Sequence, residues 1–380
     1  MRVDLVAYAL EENKGSEPGS GWTALRAHLN NGHEVRIFTT IENFLLFKKS
    51  SFSEKKNIEI IAVEPIRWAK KLLKYIPFST QINYHLWMLK VGIKLRKQLK
   101  YENQSGIVHH ATYAGDWNLN AILFLSRSQK SYWGPIGGYQ KMNLNEFFEL
   151  SLRGKFIETI RYGFLSPLRT LIRFSVSRKN LTVLAMNQAV QEYFSHKIRS
   201  VYCPNLILDF QKKHLPAKKK YIFSSGRLIP IKNFKLLISA MQYIDSDTEL
   251  IIAGEGFLRE SLTRQIKKLG LIGRVHLIGH VPREKTIELL VNSAVFAFTS
   301  TRDSHSWSLA EAVHLGIPVA TIGTPGNISV LKNGEPSYLP RRKTSPLEFA
   351  EYLKAPIEFK RRFTFSLENL SNLYSQIFTD

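Results

Sequence analysis

The opening forty residues restrict the possible folds more than any other stretch. Val3 to Leu10 reads as a strand passing from alternating to apolar, Glu11 to Gly21 is polar and glycine-rich, Trp22 to Asn31 has helical spacing, and Glu34 to Thr40 is a second strand after the turn Gly32-His33. Period 2, then 3.6, then 2 again is the pattern of a βαβ unit, and the crossover helix makes its two strands parallel. Short strand candidates recur at Tyr221 to Ser225, Glu249 to Ala253, Val275 to Ile278, Val295 to Phe298 and Val319 to Ile322, each followed by a turn or a helical segment. At 380 residues the chain exceeds what one core usually holds. The expectation is an α/β protein of two doubly wound parallel-sheet domains, joined through the polar, Lys- and Pro-containing stretch Lys212 to Lys220.

The turns after these strands carry the chemistry. Ligands of open α/β sheets lie beyond the carboxyl ends of strands, where a helix N-terminus offers free N–H groups to an anion. After Val295 to Phe298 come Asp303, Ser304, His305, Ser306, Trp307 and Ser308, then the helical segment Leu309 to Leu315, stopped by Gly316 and Pro318. Ser306 or Ser308 can cap this helix, with Glu311 placed three residues after Ser308 as in a capping box. Asp303 and Glu311 would then flank an anion site, although on spacing alone they read equally as a turn former and a capping residue. After Tyr221 to Ser225, Gly226-Arg227 precedes Lys232 by five residues: the guanidinium fork and the ammonium point charge suit a diphosphate.

In the first domain, Gly15-Ser16-Glu17-Pro18-Gly19-Ser20-Gly21 lets backbone approach a ligand closely and lacks the Gly-Lys-Ser/Thr ending of a Walker loop. His109 and His110 end the strand candidate Ser105 to Thr112, where an imidazole with a pKa of about 6.5 suits hydrogen bonding or proton transfer. Trp133-Gly134-Pro135-Ile136-Gly137-Gly138 reads as a glycine-rich turn after a strand.

Together these residues resemble the retaining GT-B glycosyltransferases of family GT4, over nearly the whole chain; the strings Gly-Ser-Glu-Pro-Gly and Trp-Gly-Pro-Ile-Gly-Gly resemble one recurrent subgroup. The chain departs from the family pattern in carrying Asp303 where Glu is usual, and Ser304 and Ser306 where glycines are usual. The resemblance implies the GT-B arrangement: Rossmann-like domains at 1–205 (acceptor) and 206–360 (nucleotide-sugar) facing a cleft, with 361–380 a helix crossing back to the first. It implies that Arg227 and Lys232 stabilise the leaving diphosphate, that Glu311 contacts the ribose and that Asp303 contacts the donor sugar. Gly15, Ser16, Gly19, Gly226 and the main chain from Ser304 through His305, Ser306 and Trp307 to Ser308 would face the donor, with Glu255 and Val281 near the base. His110, or else His109, would stand near the reaction centre, and His109, Tyr113, Gly137 and Gly138 on the acceptor side.

The implied reaction moves a sugar, with retained configuration, from a nucleotide-diphosphate donor, UDP being the commoner, to a hydroxyl of a glycan or lipid-linked glycan in bacterial surface polysaccharide synthesis. No cofactor or metal is called for, since cations and a helix dipole take the metal's part. A GT-B nucleotide-sugar epimerase and a catalytically silent glycosyltransferase-like subunit are the alternative readings.

The net charge of +22 concentrates between Lys48 and Lys100, where 13 basic residues stand against 3 acidic. There Trp68, Leu72 and Ile76 fall on one helical face with Lys70, Lys71 and Lys74 beside them, suited to an anionic membrane surface. A solvated face or nucleic acid would accept the same charge, but no recognisable nucleic-acid motif accompanies it. The lone Cys203 excludes an internal disulfide, Met1 to Leu10 passes directly into a polar loop and reads as a first strand, and no apolar run is long enough to span a bilayer. The expected location is cytoplasmic, peripheral on the inner face of the plasma membrane; oligomeric state is not legible.

Overall fold

The computed structural model describes residues 1–12, 14–64, 79–102, 106–138, 152–204, 206–208, 221–331, 344–358 and 366–379. Trp68, Lys70, Lys71, Leu72 and Lys74, and the link Lys212 to Lys220, lie outside the described residues. Contacts divide the chain into two compact units, Met1–Ile207 with Ser366–Asp380, and Leu208–Phe365.

The first unit is a seven-stranded sheet in the order β3-β2-β1-β4-β5-β6-β7, with every neighbouring pair parallel. Its strands are β1 (Arg2–Val6), β2 (Glu34–Thr39), β3 (Ile58–Ala62), β4 (Ile107–His110), β5 (Ser131–Ile136), β6 (Leu181–Ala185) and β7 (Arg199–Tyr202). The second unit is a five-stranded parallel sheet in the order β10-β9-β8-β11-β12. These strands are β8 (Tyr221–Ser225), β9 (Glu249–Ala253), β10 (Val275–Gly279), β11 (Val295–Phe298) and β12 (Val319–Thr321). In both sheets the order reverses beside the first strand, between β1 and β4 and between β8 and β11. Such a switch point leaves a crevice at the carboxyl ends, because the flanking connections run off to opposite faces. The apolar runs serve as the sequence suggests: β4, β5, β6, β11 and β12 are buried at every residue, as parallel strands covered on both faces must be.

Two expectations from the sequence are corrected here. The stretch from Ser16 to Gly21 is not a loop: it is the first turn and a half of the helix Ser16–Asn30, with Gly15 as its N-cap. A Cβ on Gly21 would stand 2.2 Å from the carbonyl oxygen of Ala9, so the small residues let this helix lie close on the segment after β1. Likewise Trp133 to Ile136 is the body of β5 and not a turn beyond it. Gly134, at φ +142°, would bring a Cβ to 2.2 Å from the carbonyl oxygen of Leu184 in the adjacent strand, and only glycine accepts that approach. The last helix, Leu367–Thr379, belongs to the first unit: Asn31 Nδ2 donates to the Ser371 carbonyl at 2.9 Å and the Tyr132 hydroxyl to the Ile377 carbonyl at 3.0 Å.

Candidate functional site

The switch point of the second sheet brings the two predicted charge clusters together. Arg227 follows β8 directly and is exposed, and Lys232 ends the short 3-10 turn Pro230–Lys232. Asp303 follows β11, the neighbouring strand, and its Oδ2 accepts from Lys232 Nζ at 2.6 Å, with the two side chains only 20% and 17% exposed. The two loops are stitched along their length: Thr299 Oγ1 donates to the Lys232 carbonyl (2.8 Å), and the Ile231 carbonyl accepts from Ser300 Oγ (3.1 Å) and the Thr301 N–H (2.8 Å). Lys232 Nζ also stands 5.0 Å from the centroid of the Phe298 ring. A cation held between a carboxylate and an aromatic face in a partly desolvated crevice loses little freedom when an anion arrives. Gly226, at φ +153°, continues the strand end toward this turn, where a larger residue would meet the Lys232 stem.

The helix Trp307–Leu315 begins at the same place. Ser306 is its N-cap, accepting from the Leu309 N–H at 3.4 Å, and Gly316 ends it in the left-handed conformation. The capping box on Ser308 is not formed. Ser308 is instead the second helical residue, its hydroxyl 3.1 Å from that of Ser306, and Glu311 lies too far along to cap. Glu311 is a buried carboxylate, its side chain 6% exposed, with Oε1 at 2.7 Å from Arg283 Nη1 of the helix Arg283–Val291. Ser304 and Trp307 are half-buried, while His305 is buried. Arg283 carries no signal in the sequence; only the packing of two helices that follow different strands brings it to Glu311.

Burial raises the Glu311 pKa, and the Arg283 charge pulls it partly back. A carboxylate whose folded pKa lies above its unfolded value is most stable protonated, so its stability is lost as pH rises through the folded pKa. Replacing Arg283 by Ala removes the opposing cation and pushes that pKa further up. The expected result is a melting deficit at pH 7 that shrinks as pH falls toward 4.5 and is relieved in Arg283→Ala/Glu311→Gln. A deficit independent of pH would contradict it.

Gly326 fixes the other side of the turn. At the start of the helix Pro325–Leu331, its missing Cβ would stand 1.9 Å from the carbonyl oxygen of Asp303 and 2.8 Å from that of Ser304. Asn327 Nδ2 bonds the Ile322 carbonyl (2.9 Å) and Thr321 Oγ1 (3.1 Å), holding this segment against β12. Glu255 is exposed and accepts from Arg259 at 3.0 Å one helical turn on, while Val281 is half-buried just beyond β10.

In the first unit, Gly15, Ser16 and Gly19 stand at a helix N-terminus after β1 and Tyr113 after β4, on the two strands of the switch point. Tyr113 has φ +53°, an unfavourable value for a bulky side chain, and is held there by its N–H donating to Glu17 Oε2 (2.8 Å) and its carbonyl accepting from Asn118 Nδ2 (2.9 Å). Gly137 and Gly138 follow β5 and are half-buried.

Strand parity separates the two histidines. Adjacent in β4, they point to opposite faces of the sheet, and both are fully buried. His109 faces the final helix: its Nε2–H donates to the Gly134 carbonyl (2.9 Å), so its Nδ1 accepts from His28 Nε2–H (2.9 Å), whose Nδ1 in turn accepts from His33 Nδ1–H (3.1 Å). His110 has both nitrogens engaged, Nδ1 by the Ala121 N–H (3.1 Å) and Nε2 by the Thr112 carbonyl (2.9 Å). Its ring is therefore committed to holding the segment after β4. Burial lowers the His109 pKa to about 3 and that of His110 to about 4, and holds His28 well below its ordinary value. Each group stabilises the fold in its neutral form, fully above the unfolded pKa of about 6.5 and less as pH falls below it, by about 1.4 kcal/mol per pH unit per histidine until the folded pKa is reached. Denaturant midpoints should fall steeply from pH 6.5 to 5; a flat profile would contradict the buried neutral chain.

Residues 207–360, the second unit almost in full, match the family model of glycosyl transferases group 1. The chain is 30% identical over 179 residues to the N-acetylgalactosamine-N,N'-diacetylbacillosaminyl-diphospho-undecaprenol 4-alpha-N-acetylgalactosaminyltransferase of Campylobacter jejuni, a match covering 47% of this chain and 46% of that protein. It is 27% identical over 268 residues to the 2-deoxystreptamine N-acetyl-D-glucosaminyltransferase of Niallia circulans, covering 67% and 65%. The matched stretches thus span about half to two thirds of these relatives. Among solved structures, Anabaena HepE in complex with UDP and glucose superposes with a TM-score of 0.60 at 14% identity over 100% of this chain and 99% of that one. S. aureus TarM, solved as a mutant in complex with UDP and other ligands, gives a TM-score of 0.60 at 10% identity over the whole of both chains. The second unit thus matches the glycosyl transferases group 1, and the two switch-point sheets have the GT-B fold of these solved structures.

Proposed function

We propose that the protein is a retaining glycosyltransferase that moves a sugar from a nucleotide-diphosphate donor, with UDP the first candidate base, to a hydroxyl of a glycan or lipid-linked acceptor. The observation that carries this reading is the arrangement at β8 and β11, where Lys232 meets the carboxylate of Asp303 just ahead of the helix Trp307–Leu315, with Arg227 on the turn after β8 and Glu311 inside that helix. Breaking the bond from the sugar to the diphosphate adds one negative charge to the two the diphosphate already carries, and fixed cations and oriented N–H groups stabilise it without reorganising. In this reading Lys232 is shared between Asp303 and the phosphate nearer the sugar, Arg227 grips the diphosphate from solvent, Asp303 orients the sugar hydroxyls and Glu311 takes the ribose. HepE and TarM are solved with UDP, and the Campylobacter relative is named for a lipid-linked acceptor, which supports the same choice of donor and acceptor class. No metal enters the proposal, since the two cations and the helix dipole carry the charge.

The test is nucleoside diphosphate release from UDP- and GDP-sugars with and without a pool of glycan and lipid-linked acceptors. Acceptor-dependent release from one donor is the expected result. Acceptor-independent conversion of the sugar would identify an epimerase, and no turnover of any donor would identify a silent subunit.

A further inference from the structure

A cavity lies in the first unit, at the end of its sheet away from the switch point. It has a volume of about 530 Å³, within the range of small-ligand sites. Its walls come from the last turns of the helix Ser79–Glu102, the segment after the 3-10 turn Ala121–Phe124, and Lys179 ahead of β6. Because every strand of the sheet is parallel, the approaches to β5 and β6 mark its amino edge, whereas Gly15 and Tyr113 stand at its carboxyl edge. This cavity therefore cannot be part of the crevice beyond β1 and β4.

Its lining is chemically one-sided. Arg96 and Lys100, one helical turn apart, and Lys179 supply cations, Leu123 and Phe124 supply apolar wall, and no carboxylate lines it among the described residues. Arg127 lies close enough to add to the field on Lys179, whose pKa is lowered by burial and then by Arg127 and Arg96. Among the described residues none of these four cations is in an ion pair, and the Lys179 ammonium reaches only the Leu125 carbonyl. Helix ends explain part of this charge, since a helix C-terminus carries about half a negative charge. The helices Ser79–Glu102 and Leu152–Val176, which end here, account for about one positive charge, which leaves most of four cations uncompensated.

We propose that this pocket binds a phosphate group, seated between Arg96, Lys100 and Lys179 with its carrier against Leu123 and Phe124. A soluble phosphate compound and a phospholipid headgroup share that chemistry. The proposal is independent of the activity of the second unit.

Two arms separate the sources: inorganic phosphate in solution, followed by 31P NMR, and sedimentation with vesicles of phosphatidylglycerol and phosphatidylcholine against phosphatidylcholine alone. The variants are Arg96→Gln/Lys100→Gln, both on exposed positions, and the same pair with Lys179→Gln. The control is Arg264→Gln/Lys267→Gln/Lys268→Gln, which removes the same charge from a helix of the other unit. In whichever arm the intact protein binds, the pocket variants should bind at least about tenfold more weakly while the control does not. Loss in the phosphate arm identifies a soluble ligand, and loss confined to the vesicle arm a lipid headgroup. Absence of binding in both arms, equal binding by the pocket variants, or equal loss in the control would overturn the proposal.

Discussion

Lys232→Ala should lower sugar transfer by about a hundredfold, which is what about 3 kcal/mol of lost transition-state stabilisation amounts to. The residue is fixed by Asp303 at 2.6 Å, by the Phe298 ring, and by its own carbonyl, which accepts from Thr299. Its position is thus built before any donor arrives. The same substitution removes the Lys232 ammonium from Asp303 in a crevice where that carboxylate is only 20% exposed, so a loss of stability should accompany the loss of rate. Arg227→Ala separates the two effects. Arg227 is exposed and in no ion pair among the described residues, so the change should cost a similar factor in rate with an unchanged melting temperature. Near-normal turnover in either variant would remove that side chain from the mechanism.

The second large effect is expected at a position with no chemistry of its own. Gly326→Ala places a methyl group 1.9 Å from the Asp303 carbonyl oxygen and 2.8 Å from that of Ser304, and both obstacles are backbone that no rotamer change can clear. The turn that carries Asp303 and leads into the cap at Ser306 must shift. Helix propensity alone favours Ala over Gly by about 1 kcal/mol, so a purely local view expects stabilisation. Overpacking at a buried contact costs about 1–3 kcal/mol, and the expected net outcome is a lowered melting temperature together with donor affinity weakened by an order of magnitude or more. A variant as stable as the parent with unaltered nucleotide affinity would show that the turn tolerates displacement and that its geometry does not set the site.

Much of the second unit was legible because local and global signals agree there. The strands β8, β9 and β11 are short apolar runs with turn residues after them, and the switch point alone suffices to bring the turn carrying Arg227 and Lys232 beside the one carrying Asp303. The cap at Ser306 was legible only as one of two serines, since both satisfy the same local rule and packing decides between them. The first unit was less legible. Glycines in Gly15 to Gly21 and at Gly134 read as turn formers, yet they serve close packing inside a helix and a strand, a requirement imposed by Ala9 and Leu184 from other elements. His109 and His110 could not be distinguished from sequence by role. Register within β4 sends one ring to the final helix and the other to the segment ending at Ala121, and register is a property of pairing, not composition. Arg283 and Gly326 were invisible for the same reason: each matters through one neighbour distant in sequence.

The central claim is that the carboxyl edge of the second sheet holds a nucleoside diphosphate. Calorimetric titration of the purified protein with UDP and GDP, repeated on Arg227→Ala, tests it directly. Binding of one nucleotide in the intact protein, weakened at least tenfold by the substitution with the melting temperature unchanged, is the expected result. Absence of binding to both, or equal binding by the variant, would contradict the assignment of this crevice as the donor site.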